Sequence, residues 1–176
     1  FSMQCHPNDR TITGAKFKEL HKMDYEFHGV ASHASRAPEK GISALDAVLL
    51  TFNAIEFLRD HVKKDVSIAG IITNGGTAAN SIPDFASCHF VIRSDDHIYL
   101  KEVVERVNNC ARGAALATGA RLEIIPHTWL DSFLNLSSFN NLLMANTLLM
   151  DPPQVLPQET AASTDFSNVS TILPSS

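Results

Sequence analysis

Two segments with the apolar periodicity of a helix, each flanked by predicted strands, constrain the fold of this chain more than any other feature. Residues 23–28 alternate between apolar and polar side chains, as a strand with one buried face does. The β-branched residues 66–73, the alternating residues 85–93 and residues 121–125 predict three more strands. The helices separate the first strand from the second and the third from the fourth. The order is therefore strand, helix, strand, strand, helix, strand.

Both helices show the period of about 3.6 residues that an amphipathic helix requires. The first begins at an N-cap, Ser43, and its predicted buried stripe includes Leu49. The second is predicted to bury Ile98 and to end at Gly119, a residue that suits a left-handed C-terminal cap.

This order of elements predicts an α+β fold with the ferredoxin-like βαββαβ arrangement. Right-handed crossovers place both helices on one face of a four-stranded antiparallel sheet and leave the other face open. Residues 137–150 predict a further, C-terminal helix, and residues 158–176 an irregular tail rich in Ser, Thr and Ala. The tail at 158–176 cannot make a core of its own, so we expect the apolar side chains of residues 137–173 to be poorly buried, mobile or covered by another copy.

The composition is that of an ordinary globular protein and excludes several classes. The chain is 44% apolar and 19% charged, with a net charge of −5. A disordered chain would have fewer apolar residues, and a membrane helix would need a run of about 18 of them. The acidic balance argues against nucleic-acid binding, which relies on basic patches. Three cysteines cannot all pair within the chain and the sequence shows no secretory signal, so we expect a cytoplasmic protein.

Three polar side chains stand where a scaffold could present them to a ligand. His33 lies in a loop between a strand and a helix, where it can serve as donor, acid or metal ligand, or simply make a local hydrogen bond. Asn80 follows a Gly-Gly pair, which also suits a plain hairpin connection. Arg93 lies near the end of a strand on the open face of the sheet. Its guanidinium could clamp a carboxylate or form a surface ion pair.

Other candidate residues are weaker. Cys5 and His6 are two ligand-type residues in a row, but a catalytic zinc ion needs about three protein ligands. Asp165 is ambiguous between a helix cap and a site residue. Four further histidines are expected to be solvated, namely His21, His61, His97 and His127.

Three motifs occur in a familiar order: H-A-S-R-A-P-E-K-G-I-S-A-L-D-A at 33–47, G-G-T-A-A-N-S-I-P-D at 75–84 and F-V-I-R at 90–93. This set resembles the lid or dimerisation domain of the zinc-dependent aminoacylase, carboxypeptidase and amidohydrolase superfamily. The segments M-Q-C-H-P at 3–7 and S-T-D-F-S-N-V-S at 163–170 resemble the catalytic-domain sequences that flank that lid. The subgroup most similar to these flanks contains aminobenzoyl-glutamate hydrolases and β-alanyl-lysine dipeptidases.

The resemblance implies a hydrolase that uses zinc to cleave an N-acyl or peptide amide next to a carboxylate. The substrate would be a small acyl-amino acid or dipeptide, and the enzyme would be a homodimer. His33 would help to stabilise the tetrahedral intermediate, often in the active site of the partner subunit. Asn80 and Arg93 would bind the carboxylate side of the substrate, and His6 would be a zinc ligand.

The sequence also departs from the family pattern, because the first metal motif, the bridging carboxylate and the general-base glutamate are absent. We therefore expect a truncated chain that is inactive alone. Residues 20–130 would form the lid domain, and residues 1–19 and 131–176 would belong to a catalytic domain. The main alternative is a stand-alone ferredoxin-like module that binds a protein or small ligand. RNA binding is disfavoured, because the open face of the strand at 85–93 offers no stacking aromatic beyond histidine.

Overall fold

The computed structural model describes residues 2–4, 11–150, 160–161 and 163–175. A short 3₁₀ turn at Pro38–Lys40 precedes the first helix. The strands and helices, in chain order, are β1 Lys16–Phe17, β2 Glu19–His28, β3 Ser32–His33, α1 Ala44–Arg59, β4 Ser67–Asn74, β5 Ser81–Ile82, β6 Phe85–Ser94, α2 His97–Thr118, β7 Arg121–Leu130, α3 Ser137–Leu148, β8 Thr160–Ala161 and α4 Phe166–Ser170.

The main sheet has four strands in the order β4-β6-β2-β7. Strands β2 and β6 lie in the centre, and β4 and β7 form the two edges. The predicted four-stranded antiparallel sheet of the α+β class is thereby confirmed. Two small pairs accompany it, antiparallel β3–β5 and parallel β1–β8.

The chain divides into two compact units. The first, which we call the sheet unit, comprises residues 21–93 and 98–128. The second, the flank unit, comprises the described residues of 1–20, 94–97 and 129–176. The assignment of residues 1–19 and 131–176 to a catalytic domain stays a prediction.

The core of the sheet unit lies between one face of the sheet and the helices α1 and α2. Alternate residues of β2 and β6 point into it, and the period-2 pattern of both strands is what the sequence predicted. The Tyr25 hydroxyl donates a hydrogen bond of 2.7 Å to Asn108 Oδ1, and burial raises the pKa of this phenol. The large side chains of this core are fully buried: Tyr25, Phe27, Val48, Ile55, Phe90, Ile92, Leu100, Val103 and Val107.

Two residues predicted to be buried are exposed. Leu49 of α1 is 45% exposed and Ile98 of α2 is 81% exposed. In α1 the buried face also runs through small residues such as Ala44 and Ala47, which let the helix approach the sheet closely. Val48, Ile55 and Leu58 of the predicted stripe are buried as expected, so only the placement of Leu49 on this face was wrong.

Strand β7 also differs from its prediction, because it continues through Pro126 to Leu130. Proline cannot donate a backbone hydrogen bond, so Pro126 was expected either to end the strand or to lie in an edge strand, and the second alternative is confirmed. It is tolerated here because β7 is an edge strand, where one side of the backbone has no neighbouring strand.

The flank unit leaves much of its apolar surface exposed. Leu149 is 85% exposed, Met150 75% and Ile172 81%, which confirms the predicted poor burial of this segment. Within the described ranges, none of the helices combines the length and the apolar character needed to cross a membrane.

Candidate functional site

The pairing of β3 with β5 brings two of the predicted site residues together. His33 lies opposite Ser81 in this antiparallel pair. The next residue, Ala34, donates its backbone N–H to the carbonyl oxygen of Asn80 at 3.0 Å. His33 and Asn80, which are far apart in sequence, are therefore neighbours at one end of the main sheet.

A tight crossing after β2 makes this pairing possible. The Gly29 N–H donates to the Asp84 carbonyl at 2.7 Å, while Val30 and Ile42 exchange two backbone hydrogen bonds. A Cβ atom at Gly29 would lie 2.0 Å from the Ile42 carbonyl oxygen, so only glycine fits this approach. The end of β2 is thus held beside the segment that leads into β6.

The imidazole of His33 is exposed and its orientation is set locally. Its Nδ1 accepts a hydrogen bond of 3.3 Å from the Ser35 backbone N–H and lies 3.2 Å from Ser35 Oγ. A ring nitrogen that accepts from an amide carries no proton, so the neutral ring holds its proton on Nε2. The His33 carbonyl also accepts the N–H groups of Arg36 and Ala37, both at 3.1 Å, which fixes the turn. The turn therefore presents Nε2–H as a donor.

A cavity of about 750 Å³ lies beside this pairing. Its lining includes the carboxylate of Asp46 and no Lys, Arg or His side chain among the described residues. A negative group without a compensating cation repels a carboxylate, so the cavity does not suit the acidic end of a substrate. The polar edge at His33 and Asn80 is the better candidate site.

Arg93 lies on the main sheet, at the end opposite to His33 and Asn80. It is the penultimate residue of β6, is half-buried on the open face and stands opposite Ser67 of β4. Its Nε is buried and makes no hydrogen bond in the described structure. An unsatisfied buried donor is costly, and a carboxylate is the acceptor that a guanidinium fits best. A carboxylate at this position would satisfy the unpaired donor.

The structure does not bring Arg93 to the other two residues. Phe85 and Arg93 are the first and the ninth residues of β6. Eight steps along a strand span about 26 Å, at about 3.3 Å per residue. Asn80 and His33 lie beyond the Phe85 end, so one small substrate cannot touch both His33 and Arg93 of the same chain.

The predicted metal ligand His6, like Cys5, lies outside the described residues. In the flank unit, Glu19, His97 and Asp131 bring three possible ligand atoms within 4.8 Å of one another. His97 Nδ1 lies 2.7 Å from Glu19 Oε2, and the His97 ring stacks on Trp129 with centroids 5.9 Å apart. His97, expected to be solvated, therefore has a carboxylate partner.

Three of the predicted site residues lie apart from the possible metal-ligand groups. His33, Asn80 and Arg93 lie outside the groups of potential metal ligands in the described part of the chain. The catalytic and substrate-binding roles of these three residues stay predictions of the sequence.

One polar cluster on the open face was not predicted from the sequence. The Asp24 carboxylate contacts His89 Nδ1 through Oδ1 and lies 2.5 Å from His127 Nε2 through Oδ2. Although burial alone would raise it, hydrogen bonds from both histidines hold the pKa of Asp24 below its ordinary value of 3.8. His127 was expected to be solvated. The polar positions of residues 23–28, read against His89 on the next strand, are the signal that could have revealed this cluster.

Asp165 occupies the N-cap position of α4, but its side chain makes no capping hydrogen bond. The neighbouring Thr164 hydroxyl instead donates to Gln4 Oε1 at 2.9 Å. The cap interpretation of Asp165 is therefore disfavoured.

Most of the sheet unit matches a known protein family. Residues 16–118, more than half of the chain, match the family described as the peptidase dimerisation domain. The chain belongs to this family. The match covers every strand of the main sheet except β7, together with β3, β5 and both packed helices. The resemblance to the lid domain of the amidohydrolase superfamily is thereby confirmed.

Relatives of this dimerisation domain are hydrolases. The chain is 30% identical to a mouse Xaa-Arg dipeptidase over 97% of its own length and 41% of the relative. It is 35% identical to one of the subunits of the Escherichia coli p-aminobenzoyl-glutamate hydrolase, over 56% of this chain and 21% of that one. The chain thus spans about two fifths of the dipeptidase.

Among solved structures, the aminobenzoyl-glutamate utilization protein of Klebsiella pneumoniae superposes with a TM-score of 0.72. The superposition covers 86% of this chain and 39% of that protein, at 23% identity. At this identity the likeness establishes the fold alone.

Proposed function

We propose that this chain is the lid and dimerisation portion of a zinc-dependent hydrolase that cleaves an N-acyl or peptide amide next to a carboxylate. The observation that carries the proposal is the arrangement of donors relative to the main sheet: His33 lies beside Asn80 beyond one end, and Arg93 with an unsatisfied Nε lies near the other. The dipeptidase and aminobenzoyl-glutamate hydrolase relatives support this substrate class.

His33 supplies the hydrogen-bond donor in this proposal. As the amide carbonyl becomes tetrahedral, its oxygen gains negative charge that an aimed donor can stabilise. With Nδ1 occupied by the Ser35 N–H, the proton on Nε2 is available for that oxygen. Asn80 lies beside it and can donate its side-chain amide to the same part of the substrate. The zinc ion, which would polarise the carbonyl and activate water, would be held by the catalytic half of the parent enzyme.

Arg93 supplies the carboxylate clamp. A dipeptide spans only about 7 Å when extended, at about 3.3–3.6 Å per residue, which is far less than the length of β6. His33 and Arg93 of one chain therefore serve different substrate molecules. We infer that each complete site combines His33 of one copy with Arg93 of a second copy, so the homodimer is needed for activity.

The surface for this dimer is the exposed side of α1 and the edge of β4. Leu49 and Leu50 on α1 are 45% and 42% exposed, and Phe57 is 74% exposed. On the edge strand β4, Ile71 is 62% exposed. An edge strand with exposed apolar side chains is a template for pairing with another strand. Both elements belong to the sheet unit, so one unit can carry the whole interface.

The shared-site proposal is tested by complementation in the full-length hydrolase that we propose contains this chain. His33→Ala and Arg93→Ala should each abolish most dipeptidase activity alone. Mixed after dissociation, they should recover about a quarter of wild-type activity, because half of the dimers are mixed and each has one intact site. No recovery in mixed dimers, whose formation is checked with distinguishable tags, would contradict the shared site.

The interface is tested on the chain itself by sedimentation. The wild-type chain should sediment as a dimer, and Phe57→Glu should sediment as a monomer with unchanged circular dichroism. Leu116→Glu is the matched control, because Leu116 is 86% exposed on α2 and outside the proposed interface. A wild-type chain that is strictly monomeric would instead favour the stand-alone binding module. The cytoplasmic location stays a prediction of the sequence.

A further inference from the structure

We propose that Glu26, His28 and Glu123 form a binding site for a divalent transition-metal ion of the zinc class on the open face of the sheet. One possible ligand atom from each of these residues lies within 4.8 Å of the other two. None of the three has a role in the proposed hydrolysis, and the site shares no residue with His33, Asn80 or Arg93.

The sheet itself brings the three side chains together. Glu26 and His28 are two residues apart on β2, so they point to the same face, about 6.6 Å apart at the backbone. Glu123 lies on β7, the strand next to β2, and neighbouring strands are about 4.8 Å apart. Two of the three ligands therefore come from a central strand, which gives the site a rigid base.

The imidazole of His28 is the strongest indication of a ligand. Its Nε2 is buried and makes no hydrogen bond in the described part of the chain. The Glu26 Oε2 atom is 3.9 Å from this nitrogen, which is too long for a hydrogen bond. The Phe85 ring packs against the imidazole with centroids 5.3 Å apart and restricts its rotation. A nitrogen held in this way towards two carboxylates lacks the partner that a metal ion would provide.

The local charge also favours a cation. Glu26 forms no ion pair with a lysine or arginine among the described residues. Glu123 pairs with Arg121 at 3.6 Å, but both side chains are more than half exposed, so the pair is weak. Two carboxylates beside one histidine therefore carry excess negative charge that a divalent ion would neutralise.

The separations suit a small ion after minor adjustment. Zinc binds nitrogen and oxygen at about 2.0–2.2 Å, so two ligands at a tetrahedral angle lie about 3.4 Å apart. The distance of 3.9 Å between His28 and Glu26 needs to close by about half an ångström, which rotation of a glutamate side chain can provide. An imidazole among the ligands favours zinc-class ions over magnesium, which prefers oxygen alone. Three protein ligands leave a fourth position for water.

The test is a titration of the metal-free 176-residue chain with Zn²⁺, followed by calorimetry and by elemental analysis of the bound metal. His28→Gln and Glu123→Gln should each weaken one zinc site by about tenfold or more, since even loss of a supporting residue around a metal costs about tenfold. His61→Gln is the matched control, because His61 is exposed and outside every group of potential ligands in the described structure. Mg²⁺ at the same concentration should not compete.

Several results would overturn the proposal. They are a wild-type chain that binds no zinc, variants that bind zinc as the wild type does, and an equal loss in His61→Gln. Glu123 is exposed, so Glu123→Gln should keep the fold, which circular dichroism checks. Loss of zinc in His28→Gln with full retention in Glu123→Gln would also contradict the three-ligand site.

Discussion

The two units differ in what they bury. In the sheet unit most of the fully buried side chains are aromatic or aliphatic, Tyr25, Phe27 and Phe90 among them. In the flank unit most of the buried residues are polar, including Glu19, Asn140 and Ser167, while Leu149 and Met150 are exposed. Burial of apolar area is the main source of folding free energy. The difference teaches that the sheet unit has an apolar core of its own, whereas the described residues of the flank unit bury mainly polar side chains.

The largest loss of stability is expected from a substitution in the core of the sheet unit. Phe90 is fully buried, and its ring lies against Phe52 and Tyr25 with centroids 4.8 and 6.0 Å away. Phe90→Ala should lower the free energy of unfolding by about 3–5 kcal/mol, because it removes a large buried ring and leaves a cavity. Leu149→Ala, on an 85% exposed side chain of the flank unit, should change it by about 0.5 kcal/mol or less. Urea denaturation measures both, and similar losses would refute the contrast between the units.

This contrast also explains which parts of the fold could be predicted from the sequence. The strands at β2 and β6 were predictable because their alternation records directly which face is buried. The buried face of α1 was misjudged at Leu49, because Ala44 and Ala47 carry little hydrophobic signal although they are fully buried. Local patterns report the burial of large side chains and are silent on close approach by small ones.

The candidate site was predictable to the same extent. The motif order identified His33, Asn80 and Arg93, but it could not show that the first two are neighbours and the third is at the far end of β6. Such distances depend on strand pairing, which no local pattern contains. The Asp24 and His28 clusters were missed for the same reason, since each joins residues from different strands.

Two glycine-to-alanine substitutions, with smaller expected effects on stability, test how tightly the sheet unit is packed. A Cβ atom at Gly70 would lie 2.3 Å from the Phe90 ring, whereas one at Gly113 in α2 would meet nothing within 4 Å. Gly70→Ala should therefore destabilise the chain by about 1–3 kcal/mol through overpacking. Gly113→Ala should stabilise it by about 0.5–1 kcal/mol, because alanine favours the helix. Thermal unfolding compares the two variants, and a shift of the same sign in both would contradict the tight packing at Gly70.

Substitution of two serines, one in each unit, distinguishes effects on global stability from effects on local stability. In the sheet unit the Ser43 hydroxyl caps α1 by accepting the Asp46 N–H at 3.1 Å. In the flank unit the Ser170 hydroxyl accepts the Leu134 N–H at 3.0 Å. Ser43→Ala should cost about 1 kcal/mol of global stability, as the loss of an N-cap does.

Ser170→Ala should leave the global value within about 0.5 kcal/mol, because the flank unit contributes little to the cooperative core. Its effect should be local, as faster hydrogen exchange at the Leu134 amide. A global loss as large as that of Ser43→Ala would mean that the two units unfold as one.

The smallest expected effect at neutral pH concerns Asp24, which lies on the open face of the sheet unit rather than in its core. His89 on β6 and His127 on β7 face its carboxylate, with Lys22 and Glu26 on the same face of β2. Because its pKa is held below the ordinary value of 3.8, the folded state binds this proton less readily than the unfolded state. The resulting stabilisation is complete above that value and is lost as the pH falls through the lower folded pKa.

Asp24→Asn should therefore remove part of the acid-dependent decline in stability, so that wild type and variant converge as the pH falls below 3.8. Glu56→Gln is the control, because Glu56 is an exposed carboxylate paired only along α1, with Arg59. Urea denaturation between neutral pH and pH values below that point measures the difference. A constant offset between Asp24→Asn and the wild type across this range would show that Asp24 acts through packing rather than through its charge.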